Sequence, residues 1–120
     1  METTAEDGAR VRGWLLLPEG ASNGSPAPLL LWIHGGPLNS WNAWSWRWAP
    51  LLAVARGYAV LLPDPALSTG YGLEFIARGW NGWGGKPYTD LLSITKLLTV
   101  FETHDSEDDA VRSFSASARV

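Results

Sequence analysis

Leu29-Leu30-Leu31-Trp32-Ile33-His34-Gly35-Gly36-Pro37 is the stretch of this chain that decides its fold. Five consecutive apolar residues with no polar alternation read as a short strand buried on both faces, the pattern of a strand in a parallel sheet. His34-Gly35-Gly36-Pro37 then makes a tight turn with few side chains. Glycines there free backbone N–H groups to point at a neighbouring site, and such groups build an oxyanion hole. The stretch therefore predicts one half of an acyl-transfer site, with Gly36 as the main backbone donor and Gly35 beside it. The other half, a nucleophile on its own turn, has to be sought elsewhere in the chain.

The surroundings are those of a globular α/β protein. At 120 residues, without an internal repeat, the chain is one domain or less. A net charge of −3 is too small to point to nucleic acid or an anionic membrane as partner. Cysteine is absent, which excludes a disulfide framework and thiolate metal sites and fits a reducing compartment. Met1 to Asp7 is acidic and polar, so no secretory signal is expected and a cytoplasmic location is. The apolar runs are too short to cross a bilayer.

Val11 to Leu17 reads as a strand, ended by Pro18-Glu19-Gly20. Ala21 to Pro28 is a polar loop. A helix is predicted from about Ser45 to Ala55, because Trp48, Leu51, Leu52 and Ala55 recur at helical spacing; Gly57 stops it. Tyr58 to Leu62 is a second buried strand. A short helix is predicted over Leu73 to Arg78. Pro87-Tyr88-Thr89-Asp90 starts a further helix, whose apolar stripe of Leu91, Ile94, Leu97, Leu98 and Phe101 ends near Phe101. Beyond it the pattern collapses, and Thr103 to Val120 reads as a loosely ordered tail. The predicted division is 1–101 as the folded unit and 102–120 as a polar tail.

Several tempting groups fail on context. Gly20-Ala21-Ser22-Asn23-Gly24 matches the spacing of a nucleophile elbow, but an elbow needs a strand before it and a helix after it. Here Pro26 and Pro28 follow, and then another strand. Ser113, Ser115 and Ser117 lie too near the end of the chain to start a helix. His104, beside Glu102 and Asp105, stands in a chain with two histidines and no cysteine, so no metal site and no cofactor are expected. His34 reads as a brace for its own turn, its ring bonded to nearby backbone, because no nucleophile is in view. Trp41, Trp44, Trp46 and Trp48 are expected to pack over the sheet and line one wall of a cleft. With Arg47 as the sole base among them, they do not describe a nucleic-acid surface; stacking on sugar remains open.

In order along the chain, Gly13-Trp14-Leu15 and Pro18, Pro28 through Pro37, Arg56 through Val60, Ser68-Thr69-Gly70-Tyr71-Gly72 with Phe75, Trp83-Gly84 and Asp90 resemble a known family. The span from Gly8 to Val100 is similar to the N-terminal half of the catalytic domain of prolyl oligopeptidase family serine peptidases. Within the family it resembles the acylaminoacyl-peptidase-like branch, which carries His-Gly-Gly-Pro. The resemblance implies a partial α/β-hydrolase fold, made of the N-terminal strands and helices of a mostly parallel sheet with flanking helices. It implies a Ser-Asp-His triad acting on short peptides, with Gly36 as oxyanion donor. His34, Pro37, Trp41, Trp44, Tyr71 and the Trp83-Gly84 segment would be structural or cleft-lining, and Asp90 would start the helix before the nucleophile strand. The chain departs from the family in several places, among them the triad Asp and His, which lie further on in the family and are not found here. The usual Asn-x-Arg-Gly-Ser run is Asp64-Pro65-Ala66-Leu67-Ser68 here, and no nucleophile elbow follows Phe101.

The resulting expectation is a serine peptidase by descent, present as the oxyanion half of its catalytic domain, cut short or frame-shifted after Val100 and inactive alone. The full-length parent would act on peptides. A Trp-rich module binding peptide or carbohydrate, and an esterase of the same fold, are the other readings. A half-domain leaves an open sheet edge and the strands Leu29 to Ile33 and Tyr58 to Leu62 incompletely covered, so marginal stability or self-association is expected.

Overall fold

The computed structural model describes residues 1–95. Their sheet contains β1 (Glu2–Thr4), β2 (Arg10–Leu16), β3 (Leu29–Leu31) and β4 (Ala59–Asp64), in the spatial order β1-β2-β4-β3. The helices are α1 (Leu51–Val54), α2 (Leu73–Ala77) and α3 (Lys86–Thr95). This is the expected α/β layout. The described part of its sheet is mixed: β3 runs parallel to β4, whereas β1–β2 and β2–β4 are antiparallel.

β4 is the centre, and all six of its residues are buried. Tyr58 to Leu62 was expected to have faces without full helix cover, but from Ala59 onward every residue is buried, and β2 and β3 pair with its two edges. The reverse holds for Leu29 to Ile33, expected to be buried on both faces. β3 is an edge strand among the described residues, and Leu29 and Ile33 are 55% and 45% exposed. A continuous apolar run records the burial a strand is built for, and among the described residues no strand pairs with the far edge of β3. Pro63 is tolerated in the central strand because the β3 ladder stops at Leu61, so its missing N–H leaves no bond unmade on that side.

β1 was not expected. Its residues are polar and carry no apolar alternation. The strand forms through the β1–β2 hairpin, in which Thr3 faces Val11 and Gly8, at φ +83°, closes the turn. Glu2 receives the guanidinium groups of both Arg10 and Arg12 across this pair. The first helix is also shorter than the predicted Ser45 to Ala55. Pro50 is its N-cap, and a proline disfavours helical geometry in the residue before it, so α1 cannot extend back past Ala49. Gly57, at φ +88°, follows its end as expected.

α3 packs across β1 and β2. Ile94 joins Val11 and Ala5 in a small core, and Asp90, one turn earlier on the same face, is fully buried. Asp90 lies inside α3 rather than at its start. It accepts the Ala66 N–H (2.8 Å) and a two-pronged pair from Arg78 (3.0 and 3.0 Å). Arg78 also reaches Asp7 in the β1–β2 turn (3.0 and 2.9 Å). One guanidinium thus ties the first hairpin, the end of α2 and the middle of α3. The predicted continuation of this helix to Phe101, and the tail from Thr103 with His104, Ser113, Ser115 and Ser117, lie outside the described residues.

Gly13 sets how closely these layers approach. A Cβ there would come within 2.9 Å of the Leu62 carbonyl oxygen and 3.1 Å of both Pro63 Cα and Ile94 Cδ1. Two of those contacts are backbone and cannot rotate away. Gly13→Ala is therefore expected to lower unfolding free energy by about 1–3 kcal/mol, the usual range for an overpacked core. Urea unfolding followed by tryptophan emission measures this; an unchanged midpoint would show that β2 and β4 can part at no cost.

Candidate active site

The turn after β3 is held from below. His34 Nε2 lies 2.8 Å from Ser68 Oγ and 3.5 Å from Asp64 Oδ1. The His34 side chain is 5% exposed, and Asp64 and Ser68 are fully buried. Asp64, the last residue of β4, also accepts the Trp41 N–H (2.8 Å) and the Tyr71 hydroxyl (2.5 Å). Asn42 Nδ2 donates to the Thr69 carbonyl (3.1 Å), and the Thr69 N–H to the Asn39 carbonyl (2.9 Å). The loops that carry residues 34–42 and 64–71 are stitched together around this one carboxylate.

A serine, a histidine and an aspartate meet here without forming a catalytic relay. In a relay the imidazole presents one nitrogen to the serine and the other to the acid. Here both partners approach Nε2, and Nδ1 makes no hydrogen bond among the described residues. Ser68, with no exposed surface, is out of a substrate's reach. His34 is thus the expected brace, but it works through side chains rather than through nearby backbone. Burial holds its pKa below the ordinary 6.5; Asp64, and behind it the Gly35 backbone, pull the other way without reversing the shift. Burial first, then Asp64, pushes the Tyr71 phenol up to about 12, so it stays protonated and donates.

Above the brace, Gly35 and Gly36 are exposed, and no acceptor among the described residues takes either N–H. Gly36 has φ +65°, the left-handed region where a side chain is strained. Cavities open beside the turn. One, of about 370 Å³, is bounded by His34, Asn39, Trp41, Trp32 and Trp48. Trp32 meets Trp41 and Trp48 edge-on, with ring centroids 5.9 and 6.3 Å apart. Two others, of about 300 and 210 Å³, share Pro37, Leu67 and Trp83. Another, of about 200 Å³, has Arg12, Asn42, Asp64 and Tyr71 in its wall.

The structure thus brings Gly35, Gly36, His34, Pro37 and Trp41 together, and joins Tyr71 to them through Asp64. Trp44 stands apart: it is 59% exposed and lies in the wall of none of these cavities. Of the four-tryptophan segment, Trp41 and Trp48 line the cleft. Asp64 and Ser68 were missed as site residues. An aspartate closing an apolar strand was the available signal. Ser22 sits in the β2–β3 connection, where its N–H bonds back to the Ser25 carbonyl (3.0 Å), and no helix follows it.

The His34 geometry sets a pH dependence. Its folded pKa lies below the unfolded one, so the unfolded chain binds more protons in the interval between them. Stability is fully present above about pH 6.5 and is lost as pH falls through the folded value. The urea midpoint is expected to drop between about pH 7 and about pH 5, and His34→Gln is expected to flatten that drop. Parallel pH profiles for the two proteins would show that His34 is not the group titrating.

Comparison with known proteins places this arrangement. A profile of the prolyl oligopeptidase family matches residues 44–115. The match runs past Val100, where the sequence pattern was expected to leave the family. The probable dipeptidyl-peptidase 5 of Emericella nidulans is 45% identical over 83 residues, which are 68% of this chain and 12% of that protein. Dipeptidyl-peptidase 5 of Trichophyton equinum is 43% identical over 91 residues, 73% of this chain and 12% of that one. The chain therefore spans about an eighth of the length of these relatives. Pyrococcus horikoshii acylaminoacyl peptidase superposes with a TM-score of 0.68 at 25% identity, over 83% of this chain and 16% of its own. The fold alone is shared with a puromycin-hydrolyzing peptidase of Mycobacterium tuberculosis, at TM-score 0.70, 23% identity and coverage of 82% and 16%. With a α/β-hydrolase-type sheet and a family match over more than half its length, the chain belongs to the prolyl oligopeptidase family.

Proposed function

We propose that this chain provides the oxyanion turn and one cleft wall of a serine peptidase catalytic site that acts on short peptides. The observation that carries the reading is the pair of exposed amides at Gly35 and Gly36, without acceptors among the described residues, at the end of an edge strand. A nucleophile strand added beside β3 would set its serine near that turn. The serine oxygen adds to the scissile carbonyl carbon and its proton passes to a histidine base. The carbonyl electron pair moves to oxygen, and the Gly36 N–H stabilises that charge. Collapse expels the amine, which takes the proton; water then releases the acid by the same route. The relatives' names, dipeptidyl-peptidase and acylaminoacyl peptidase, support action near peptide ends.

This reading places the nucleophile and base outside the described residues and leaves Ser68 and His34 to brace the turn, which their 2.8 Å contact supports. A polypeptide of these 120 residues is therefore expected to show no turnover of aminoacyl p-nitroanilides, before or after Ser22→Ala. An esterase would instead cleave aminoacyl esters alone once the site is complete. Among the described residues no helix is long and apolar enough to cross a membrane, and the cysteine-free composition supports a cytoplasmic setting.

The direct test exchanges residues 1–95 for the matching segment of Pyrococcus horikoshii acylaminoacyl peptidase. The exchanged enzyme is expected to keep activity. Gly36→Pro removes the N–H and, because proline cannot hold the observed φ of +65°, also displaces the turn, so it should lower kcat by at least about 10²–10³. Gly36→Ala keeps the N–H and should cost far less. Equal losses for the two would mean that the Gly36 amide is not the donor.

The β3 edge, which is open among the described residues and has Leu29, Leu30 and Ile33 exposed beside it, supports self-association of the 120-residue chain. Sedimentation is expected to show oligomers that grow with concentration, and a hydrophobic dye should bind. A monodisperse monomer that unfolds cooperatively and leaves the dye free would mean the chain covers its own edge.

A further inference from the structure

The chain has four asparagines, and two of them, Asn23 and Asn81, precede a glycine. Glycine carries no Cβ, so the backbone nitrogen between the two residues is unshielded and can reach the asparagine side-chain carbonyl. Asn39 and Asn42 are followed by Ser40 and Ala43, whose side chains crowd that approach. By sequence Asn23 and Asn81 are equivalent, and both are exposed. Their surroundings separate them.

Each pair lies in a tight turn, but the two stand one place apart in it. Asn81 is the third residue of the turn from Gly79 to Gly82, which the Gly82 N–H closes on the Gly79 carbonyl (3.0 Å). The nitrogen that would attack the side chain is thus the one that the turn holds. Asn81 has φ +56°, which the third place of such a turn favours, and it shares the wall of the hollow of about 210 Å³ with Leu67, at φ +80°. Asn23 is the second residue of the turn from Ser22 to Ser25. There the bonds join the two ends: the Ser25 N–H donates to the Ser22 carbonyl (3.1 Å) and the Ser22 N–H to the Ser25 carbonyl (3.0 Å). The Gly24 N–H between them has no acceptor among the described residues. A Cβ built on Gly24 would meet nothing nearer than Ser22 Oγ at 4.0 Å, so the space around it is open.

We propose that Asn23 is a modification site that converts, without an enzyme, to aspartate and isoaspartate. The Gly24 nitrogen gives its proton to solvent and adds to Asn23 Cγ. The Cγ–Nδ2 bond breaks, and the side-chain nitrogen leaves as ammonia with a proton taken back from solvent. One water then opens the cyclic imide. Breaking the bond from Cγ to the Gly24 nitrogen leaves aspartate. Breaking the bond from the Asn23 main-chain carbonyl carbon instead routes the main chain through Cγ and leaves isoaspartate. Either product adds a negative charge to the β2–β3 connection. Isoaspartate also lengthens the main chain by one carbon, so the paired Ser22–Ser25 bonds no longer close.

The test ages the 120-residue chain in mildly alkaline buffer and weighs its proteolytic peptides at intervals. The peptide with Asn23 is expected to gain the mass of amide-to-acid exchange, by way of a species lighter by one ammonia. The peptide with Asn81 should convert at least about fivefold more slowly, the factor that one held backbone hydrogen bond gives. In concentrated urea, where neither turn is held, the two should convert at like rates. Gly24→Ala, at an exposed position without positive φ, should slow conversion at Asn23 with the fold intact. An endoproteinase that cuts before aspartate and not before isoaspartate separates the two products. An Asn23 that converts in urea and stays unchanged in the folded chain overturns the proposal, because the turn then protects it. So does an Asn81 that converts as fast as Asn23 in the folded chain. A difference between the two that persists unchanged in urea assigns it to the flanking residues and overturns the role of the turns.

Discussion

The carboxylate of Asp64 is the fixed point on which the site depends. It closes the central strand, is fully buried, and accepts bonds from Trp41 N–H and Tyr71 hydroxyl while lying near the His34 ring. A buried carboxylate is tolerated only where donors surround it. Trp41 and His34 come from the loop after β3 and Tyr71 from the loop after β4, so meeting the needs of one oxygen pair positions two segments of backbone. Net stabilisation from a hydrogen bond to a charged group is about 1.5–3 kcal/mol, and a buried donor left without its acceptor costs about 1–3 kcal/mol. The geometry of the Gly35–Gly36 turn is therefore inherited from β4, the most completely buried strand.

A second buried acid, Asp90 of α3, does the same work. Asp90 gathers the Ala66 N–H and the Arg78 guanidinium, and Arg78 extends the connection to Asp7. Asp64 and Ala66 flank Pro65, so the segment that leaves β4 is pinned at both ends. Between the pins and Phe75, the turn that carries Leu67 has no freedom to relax its positive φ. The core itself is small, with Val11, Ile94 and Ala5 at its centre, and much apolar surface remains exposed on β3 and α1.

Much of this was legible in the residues. The β2 and β4 strands, the short helix from Leu73, the start of α3 at Pro87 and the glycine stop at Gly57 all follow from apolar spacing and turn chemistry. The glycine turn was visible because an apolar run ending in His-Gly-Gly-Pro has few other uses. β1 was hidden because an antiparallel edge strand takes its register from its neighbour and needs no apolar pattern of its own. The helix expected from Ser45 was an error of period over proline: tryptophans at helical spacing outweighed the restriction that Pro50 places on Ala49. Trp44 was grouped with Trp41 because sequence proximity carries no information about which side of a loop faces a cleft.

The sequence alone determined the class of fold, the glycine turn that follows β3 and the loop, with no helix after it, that carries Ser22, because those rest on local backbone preferences and on the order of elements. Tertiary structure decided that Ser68 and Asp64 share one nitrogen of His34, that Arg78 spans from Asp7 to Asp90, and that Leu67 and Asn81 meet at one hollow. Those pairings join residues 12 to 71 positions apart in the chain. Their side chains find one another only after the sheet sets the distance between loops, and no pattern in the residues records that distance.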